Sequence, residues 1–533
     1  MANTTKITIH PSFTIGEISP RLFSTFLEPI GTMVNGTMFN PKHPTADEQG
    51  FRTDVISALK AANMPACRLP GGNFVSAWNW KDSIGPKEER KVRLDPAWHQ
   101  IYTNEVGHDE YLQWAEKVGT EPMYTINLGT GDIRSAMDII EYTNFEGGTY
   151  WSDLRAKNGH EKPYNVKTWY LGNEMDGPWQ LGSWDRNPSG YGFLCNETSK
   201  AMKWIDESIE TGVCGSSAPF MEHFPDWDEA VLDQCYDTVD YLSVHHYHIA
   251  PPGENLALLG GAAYYEDFIN TEVAMCDLVG SKHRSPKKIM ISFDEYGAML
   301  RPNSPLNPGY GRYNMARTHF KFDPTRRYVK HDPDNMPERV FPGSEMIQML
   351  SMASIQLALL RHADRVKIGC MTGGIGALCA SNHDHVWKSA SHYAFTQLIQ
   401  NAKGISMQTA VSGDTFDIPG YAIDDTSQYT GKEGLTYIDA ASAWDKDNNK
   451  LTVFAINRHE ENEYPLEIDI KGFEGYELEQ HIELYSKDLD VKNSFENPDR
   501  LKPEVRKEAA LKDGVLKTHV APLSYNVITF VKK

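Results

Sequence analysis

The sequence contains no Cys-x-x-Cys pair, and its seven cysteines (Cys67, Cys195, Cys214, Cys235, Cys276, Cys370 and Cys379) are odd in number and dispersed. That pattern offers neither a structural zinc site nor a disulfide framework, and it suits reduced thiols in the cytoplasm. Basic charge is in deficit. Against 72 Asp and Glu stand 52 Lys and Arg, a net charge of -20, which disfavours nucleic acid because non-specific affinity for it comes from cations displacing counterions. Long apolar runs are missing, so no membrane span is expected. The opening MANTTKITIH shows no basic segment followed by an apolar stretch, so no signal peptide is expected. Internal repeats and low-complexity tracts do not occur.

What the chain has is length and aromatic content. At 533 residues it exceeds one small core, so a large domain plus a smaller one is expected. Hydrophobic residues at 40%, charged at 23% and aromatic at 11% fit a folded, enzyme-sized protein. Eight short runs rich in β-branched or aromatic residues recur: RLFSTFLE, ACRLPGG, EPMYTINLG, NVKTWYLGNE, TGVCGSS, VDYLSVHHY, KIMISFDEYG and RVKIGCMTGG. Stretches between them, such as DEYLQWAEKVG and SEMIQMLSMASIQLALLRHA, carry apolar residues at helical spacing. This alternation predicts an α/β fold, an eight-stranded parallel β/α (TIM) barrel over residues 19–402. After SASHYAFTQLIQ the pattern changes to alternating strands with turns, as in KLTVFAINRHEENEYPLEIDI. Residues 403–533 therefore read as an all-β, jelly-roll-like sandwich, to which KITIHPSFTIG within residues 1–18 is expected to add a strand or two.

In such barrels the active site lies where strands end. The fourth run ends in Asn173-Glu174 and the seventh in Asp294-Glu295, on strands opposed across the mouth. Two facing carboxylates can divide the labour of glycoside cleavage, one protonating the leaving oxygen and the other attacking the anomeric carbon; a separation of about 5 to 5.5 Å gives retention. A lone strand-end Glu would more simply cap a helix, but two at opposed strands favour chemistry. His245 and Tyr247, two apart on one strand face, are suited to line the mouth and orient a carboxylate, or to pack in the upper barrel layer. A metal set in SVHHYH is disfavoured, because adjacent histidines point to opposite faces and no carboxylate follows at ligand spacing; no metal or cofactor is expected. Trp98 and Trp179 lie in loops beyond strand ends, where stacking on a sugar and loop packing are evenly matched, whereas Trp169 belongs to a strand interior. KEERKVR reads as a solvated loop, and PGG is too short for a phosphate loop.

Several longer stretches resemble motifs of glycoside hydrolase family 51, whose members are mostly α-L-arabinofuranosidases: RLPGGNFVSAWNWKDSIGPKEER, EPMYTINLGTG, GTYWSDLRAKNGHEKPYNVKTWYLGNEMDGPWQ, VDYLSVHHY, ISFDEYG and LRHADRVKI. The resemblance covers most of the chain. It implies a barrel followed by a β-sandwich, a retaining double displacement, Glu174 as general acid/base and Glu295 as nucleophile. By position it implies that Glu28, Asn73, Asn173 and Tyr247 hold the furanose hydroxyls, with Trp98 and Trp179 towards the leaving group. The implied partner is an arabinose-containing oligosaccharide. Members are often intracellular homo-oligomers.

Three departures stand out. FLEP replaces the family's FIEH-like segment, so Pro29 removes a side chain able to bond in the pocket wall. GGIG, Gly373 to Gly376, stands where a QLVN-like segment offers Gln and Asn. A long stretch over residues 296–341 replaces a Trp-rich segment and reads as a lid, an oligomer contact or both, ahead of a solvated excursion. An enlarged or rearranged pocket is therefore expected, with an α-D-arabinofuranoside or β-D-galactofuranoside as alternative substrates. An endo-β-glucanase would need an open cleft, which the long loop opposes. A catalytically silent sugar binder would gain nothing from two opposed glutamates.

Overall fold

All eight expected runs become barrel strands in the computed structural model, which describes residues 3–300, 327–330, 345–373, 379–381, 385–423 and 428–532. In chain order the strands are Ser24–Phe26, Ala66–Leu69, Glu121–Ile126, Thr168–Leu171, Glu210–Cys214, Tyr241–Ala250, Met290–Leu300 and Val366–Met371. Each pairs in parallel with its neighbours, and the eighth closes on the first. Phe26, Ala66, Met123, Tyr170, Tyr241, Ile368 and Cys370 pack together as a filled interior, which leaves only the strand ends for a ligand. The helix Met346–Arg361 is buried along nearly its whole length because it lies between the barrel and the C-terminal sheet. Its Arg361 bonds Asp439 Oδ1 at 2.8 Å on that sheet.

Nine of the C-terminal strands and Thr5–Glu17 form one ten-stranded sheet, while Thr415–Ile418 with Lys432–Thr436 and Tyr421–Ala422 with Gln428–Tyr429 form separate pairs. Thr5–Glu17 runs antiparallel to Ile405–Ser412 and parallel to Tyr464–Asp469, so the chain start is built into the C-terminal domain. The strands Tyr476–Tyr485 and Val515–Val520 stand second and ninth in the sheet order, which would separate them by roughly 34 Å if it were flat. Yet His481 Nδ1 lies 3.1 Å from Thr518 Oγ1. The sheet therefore folds over on itself, giving the two facing layers of a sandwich.

Most of the stretch 296–341, and Gly374 to Gly376, lie outside the described residues. Within the long stretch, Val329–Lys330 pairs with Gln100–Ile101, and the Tyr328 ring stacks on His99 at 5.2 Å and 19°. This segment reaches the loop that carries Trp98.

Behind the fifth and sixth barrel strands, the helices Asp226–Cys235 and Ala262–His283 bury Asp228 and Glu272. Ser216 Oγ donates to Asp228 at 2.5 Å, whereas neither oxygen of Glu272 has a hydrogen-bond partner. Burial pushes both carboxyls well above their ordinary range, and Asp228 and Asp176 push Glu272 further. A carboxyl raised in the folded state contributes stability that is complete below its unfolded pKa and is lost as pH rises through the folded one. Glu272→Gln is therefore expected to raise Tm by roughly 2 °C or more at pH 8 and to leave it unchanged at pH 4, as read by calorimetry at both values. An equal shift at the two pH values would contradict this account.

Candidate active site

Asp294 and Glu295 are successive residues, and a regular strand would send them to opposite faces. Both nevertheless reach Arg68. Pairing with the sixth strand shifts register between Ser292, opposite Ser243, and Glu295, opposite His245, and this bulge turns both carboxylates inward. Arg68 Nη1 donates to Glu295 Oε1 at 2.7 Å, and Arg68 Nε lies 2.8 Å from Asp294 Oδ2 as a charge pair whose N–H is not aimed along the contact. The guanidinium sits over the rings of Phe26 and Tyr170, 5.1 Å from each centroid, and its Nη2 donates to Asn173 Oδ1 at 2.7 Å. Tyr247 hydroxyl donates to Glu295 Oε2 at 2.7 Å and also meets Thr372 Oγ1 at 2.9 Å. Burial and then the charge of Glu295 hold the Tyr247 phenol well above its ordinary pKa, so it remains a donor.

Glu174 follows the fourth strand by three residues, and its backbone adopts φ 46° in the left-handed region. A non-glycine residue held there marks stored strain, which clusters at functional sites. Trp179 Nε1 donates to Glu174 Oε2 at 2.7 Å, and His245 Nδ1 donates to Oε1 at 3.2 Å. The other ring nitrogen of His245 faces Asp294 Oδ2 at 3.3 Å. Burial alone would lower the His245 pKa, but Glu295, Asp294 and Glu174 outweigh it and raise it to about 10, so the ring is an imidazolium donating from both nitrogens. Asp294 is also buried, and Arg68 and His245 hold it below the ordinary carboxylate range. Oxygens of Glu174 and Glu295 and Nδ1 of His245 all lie within 4.8 Å of one another. That spacing suits attack and proton transfer at one anomeric centre.

Beside these groups is a cavity of about 150 Å³ lined by Phe26, Glu28, Asn73, Trp98, Glu174, Tyr247, Glu295, Thr372 and Gly373, among others. Its volume is far below the roughly 300 Å³ at which pockets take drug-sized ligands, and suits a single sugar ring. Glu28 Oε2 accepts from Trp98 Nε1 at 3.2 Å and from the Phe74 backbone at 3.4 Å. The glycines of PGG make room for it: a Cβ on Gly71, at φ +140°, would stand 2.4 Å from Glu28 Cβ. Asn173 Nδ2 donates to Asn73 Oδ1 at 3.0 Å, and Gln180 Nε2 reaches Asn73 Oδ1 at 3.2 Å. Asn173, His245 and Trp179 do not line the cavity; they brace the groups that do. Trp169 is fully buried.

Arg68, Asp294, Thr372 and Gln180 enter the site without having been singled out in the sequence. Only Arg68 carried a signal, a cation in the middle of the apolar run ACRL. Removing one partner of a buried ion pair costs about 3–5 kcal/mol because it strands the opposite charge. Arg68→Ala is expected to destabilise the fold by that amount in urea unfolding. Arg68→Lys should recover little of it, since one ammonium cannot satisfy Asp294, Glu295 and Asn173 together.

The family model of the α-L-arabinofuranosidase 1 domain matches residues 58–257, and that of the α-L-arabinofuranosidase C-terminal domain matches residues 294–524. The chain is 36% identical over 99% of both chains to the intracellular exo-α-(1→5)-L-arabinofuranosidase 1 of Bacillus subtilis. It is 35% identical over the full length of both to an intracellular exo-α-(1→5)-L-arabinofuranosidase of Halalkalibacterium halodurans. Among solved structures, a family 51 α-L-arabinofuranosidase from Bifidobacterium longum superposes with TM-score 0.84 at 30% identity, over 99% of this chain and all of that one. An arabinose complex of the Thermotoga maritima α-L-arabinofuranosidase gives TM-score 0.83 at 26% identity, over 98% and 99%. With these matches spanning barrel, site and sheet, the chain belongs to glycoside hydrolase family 51, the family of α-L-arabinofuranosidases.

Proposed function

We propose that this protein is a retaining, exo-acting α-L-arabinofuranosidase that releases terminal arabinofuranose from oligosaccharides, with Glu174 as general acid/base and Glu295 as nucleophile. The observation that carries this reading is the placement of the two carboxylates within 4.8 Å at the wall of a one-sugar cavity. In the first step Glu174 gives its proton to the glycosidic oxygen while Glu295 attacks the anomeric carbon; the C–O bond to the leaving group breaks and an ester forms. In the second, Glu174 takes a proton from water, which attacks that carbon and frees Glu295. Arg68 and Tyr247 hold the two oxygens of Glu295 in place for attack. Glu28 and Asn73, which line the cavity, would hold the sugar hydroxyls, and Trp98, which lines it too and donates to Glu28, would lie towards the leaving group.

The (1→5) linkage and an intracellular setting follow the named activities of the relatives. A homo-oligomer follows the family habit, and sedimentation of the purified chain tests it. A different furanose is the second reading, favoured by the sequence departures at Pro29 and at Gly373 to Gly376, of which Gly373 lines the cavity. Hydrolysis of aryl α-L-arabinofuranoside, α-D-arabinofuranoside, β-D-galactofuranoside, β-D-xyloside and β-D-glucoside separates them, with the Glu295→Ala variant as blank. Preference for the α-L-arabinofuranoside is expected. Preference for another furanoside makes Pro29 and the Gly373 segment specificity determinants, and silence on all of them contradicts the proposal.

A further inference from the structure

We infer that Glu174, His245 and Glu295 form a site for a divalent zinc-class cation, and that such an ion blocks the enzyme by occupying the place of the anomeric centre. The inference rests on the reading of this site given above, but the metal chemistry stands on the geometry alone. Tetrahedral zinc with ligands at about 2.0–2.2 Å sets those ligands roughly 3.3–3.6 Å apart. Glu174 Oε1 lies 3.2 Å and Glu295 Oε1 3.9 Å from His245 Nδ1, and the third separation is no more than 4.8 Å. A small turn of one carboxylate brings all three into range, and the fourth position opens on the cavity lined by Glu174 and Glu295.

A further feature belongs to metal sites. The ring nitrogen of His245 away from the carboxylate pair faces Asp294 Oδ2, itself paired with Arg68. This is the carboxylate–histidine arrangement that orients metal-bound imidazoles. Binding forms one Zn–N and two Zn–O bonds, and the protons on His245 Nδ1 and on the Glu174 carboxyl leave to solvent. Sequence spacing around SVHHYH hides this set, because its carboxylates come from the fourth and seventh strands. The six cysteines whose side chains are described, Cys67, Cys195, Cys214, Cys235, Cys276 and Cys370, are all buried and offer no competing surface thiolates.

The test titrates the untagged full-length protein with Zn²⁺ by calorimetry and with Co²⁺ as a spectroscopic probe. One equivalent is expected to bind, the Co²⁺ complex showing d–d bands with no thiolate charge-transfer band. Affinity should fall by about tenfold or more in His245→Gln and in Glu174→Gln. In the unaltered enzyme Zn²⁺ should raise KM without lowering kcat, and L-arabinose should compete with the metal, a readout that needs no variant. The inference is overturned if no one-equivalent site exists, if both variants bind as the parent does, or if Zn²⁺ lowers kcat at constant KM. Failure of the furanosidase reading would appear separately, as absent hydrolysis with metal binding intact.

Discussion

Glu295→Ala is expected to leave no measurable turnover, with kcat lower by roughly four to six orders of magnitude and folding retained. Without the carboxylate no covalent intermediate forms, and the truncated side chain leaves a space in which water is not activated from the opposite face, since Glu174 is already assigned to the leaving group and Glu28 is held by Trp98 and the Phe74 backbone on the cavity wall. Arg68 and Tyr247 lose their shared acceptor but keep Asp294, Asn173 and Thr372. The variant should therefore melt near the parent while remaining silent on aryl and natural substrates alike. Added formate, which is small enough to enter the vacated place, is expected to restore part of the activity. Normal activity on arabino-oligosaccharides in this variant would remove Glu295 from the role of nucleophile.

Glu174→Ala should separate the two chemical steps. With an aryl leaving group of low pKa the first step needs little protonation, so a burst of released phenol is expected, followed by slow hydrolysis of the accumulated ester. With an arabino-oligosaccharide the first step itself should fall by about 10²- to 10⁴-fold, the usual worth of a positioned acid or base. Azide needs no general base, so it should accelerate the second step and yield the α-configured arabinofuranosyl azide. Rapid-quench measurement of the burst checks the first claim and product analysis the second. If the variant instead loses all substrates equally, without burst or azide rescue, Glu174 serves structure rather than proton transfer. Trp179 and His245 bear on the same experiment, because their donated hydrogen bonds fix the Glu174 carboxyl.

The barrel was legible because its eight strands are separated by amphipathic segments long enough for parallel crossovers, and the sequence period changes sharply once the sheet domain begins. Glu174 and Glu295 were legible because both end strand runs on opposite sides of the mouth. The supports around them were not. Arg68 binds partners contributed by the fourth and seventh strands, and nothing local to ACRL announces them. The bulge that lets Asp294 and Glu295 face the same way depends on pairing with His245 and Ser243, a register that no single strand encodes. The position of Trp179 in a loop leaves a sugar platform and loop packing evenly matched, and gives no sign of the hydrogen bond by which its indole N–H holds Glu174. His245 was suited to orient a carboxylate, and the structure gives it two, Glu174 and Asp294.

The most direct test of double displacement through Glu174 and Glu295 is the anomeric configuration of the methyl furanoside formed when the enzyme acts on an aryl α-L-arabinofuranoside in the presence of methanol, read by proton NMR. The methyl product is stable against mutarotation, so its configuration records the second displacement. Carboxylates within 4.8 Å lead to methyl α-L-arabinofuranoside, with configuration retained. Formation of the β anomer would show a single displacement and contradict the assignment of Glu295 as nucleophile.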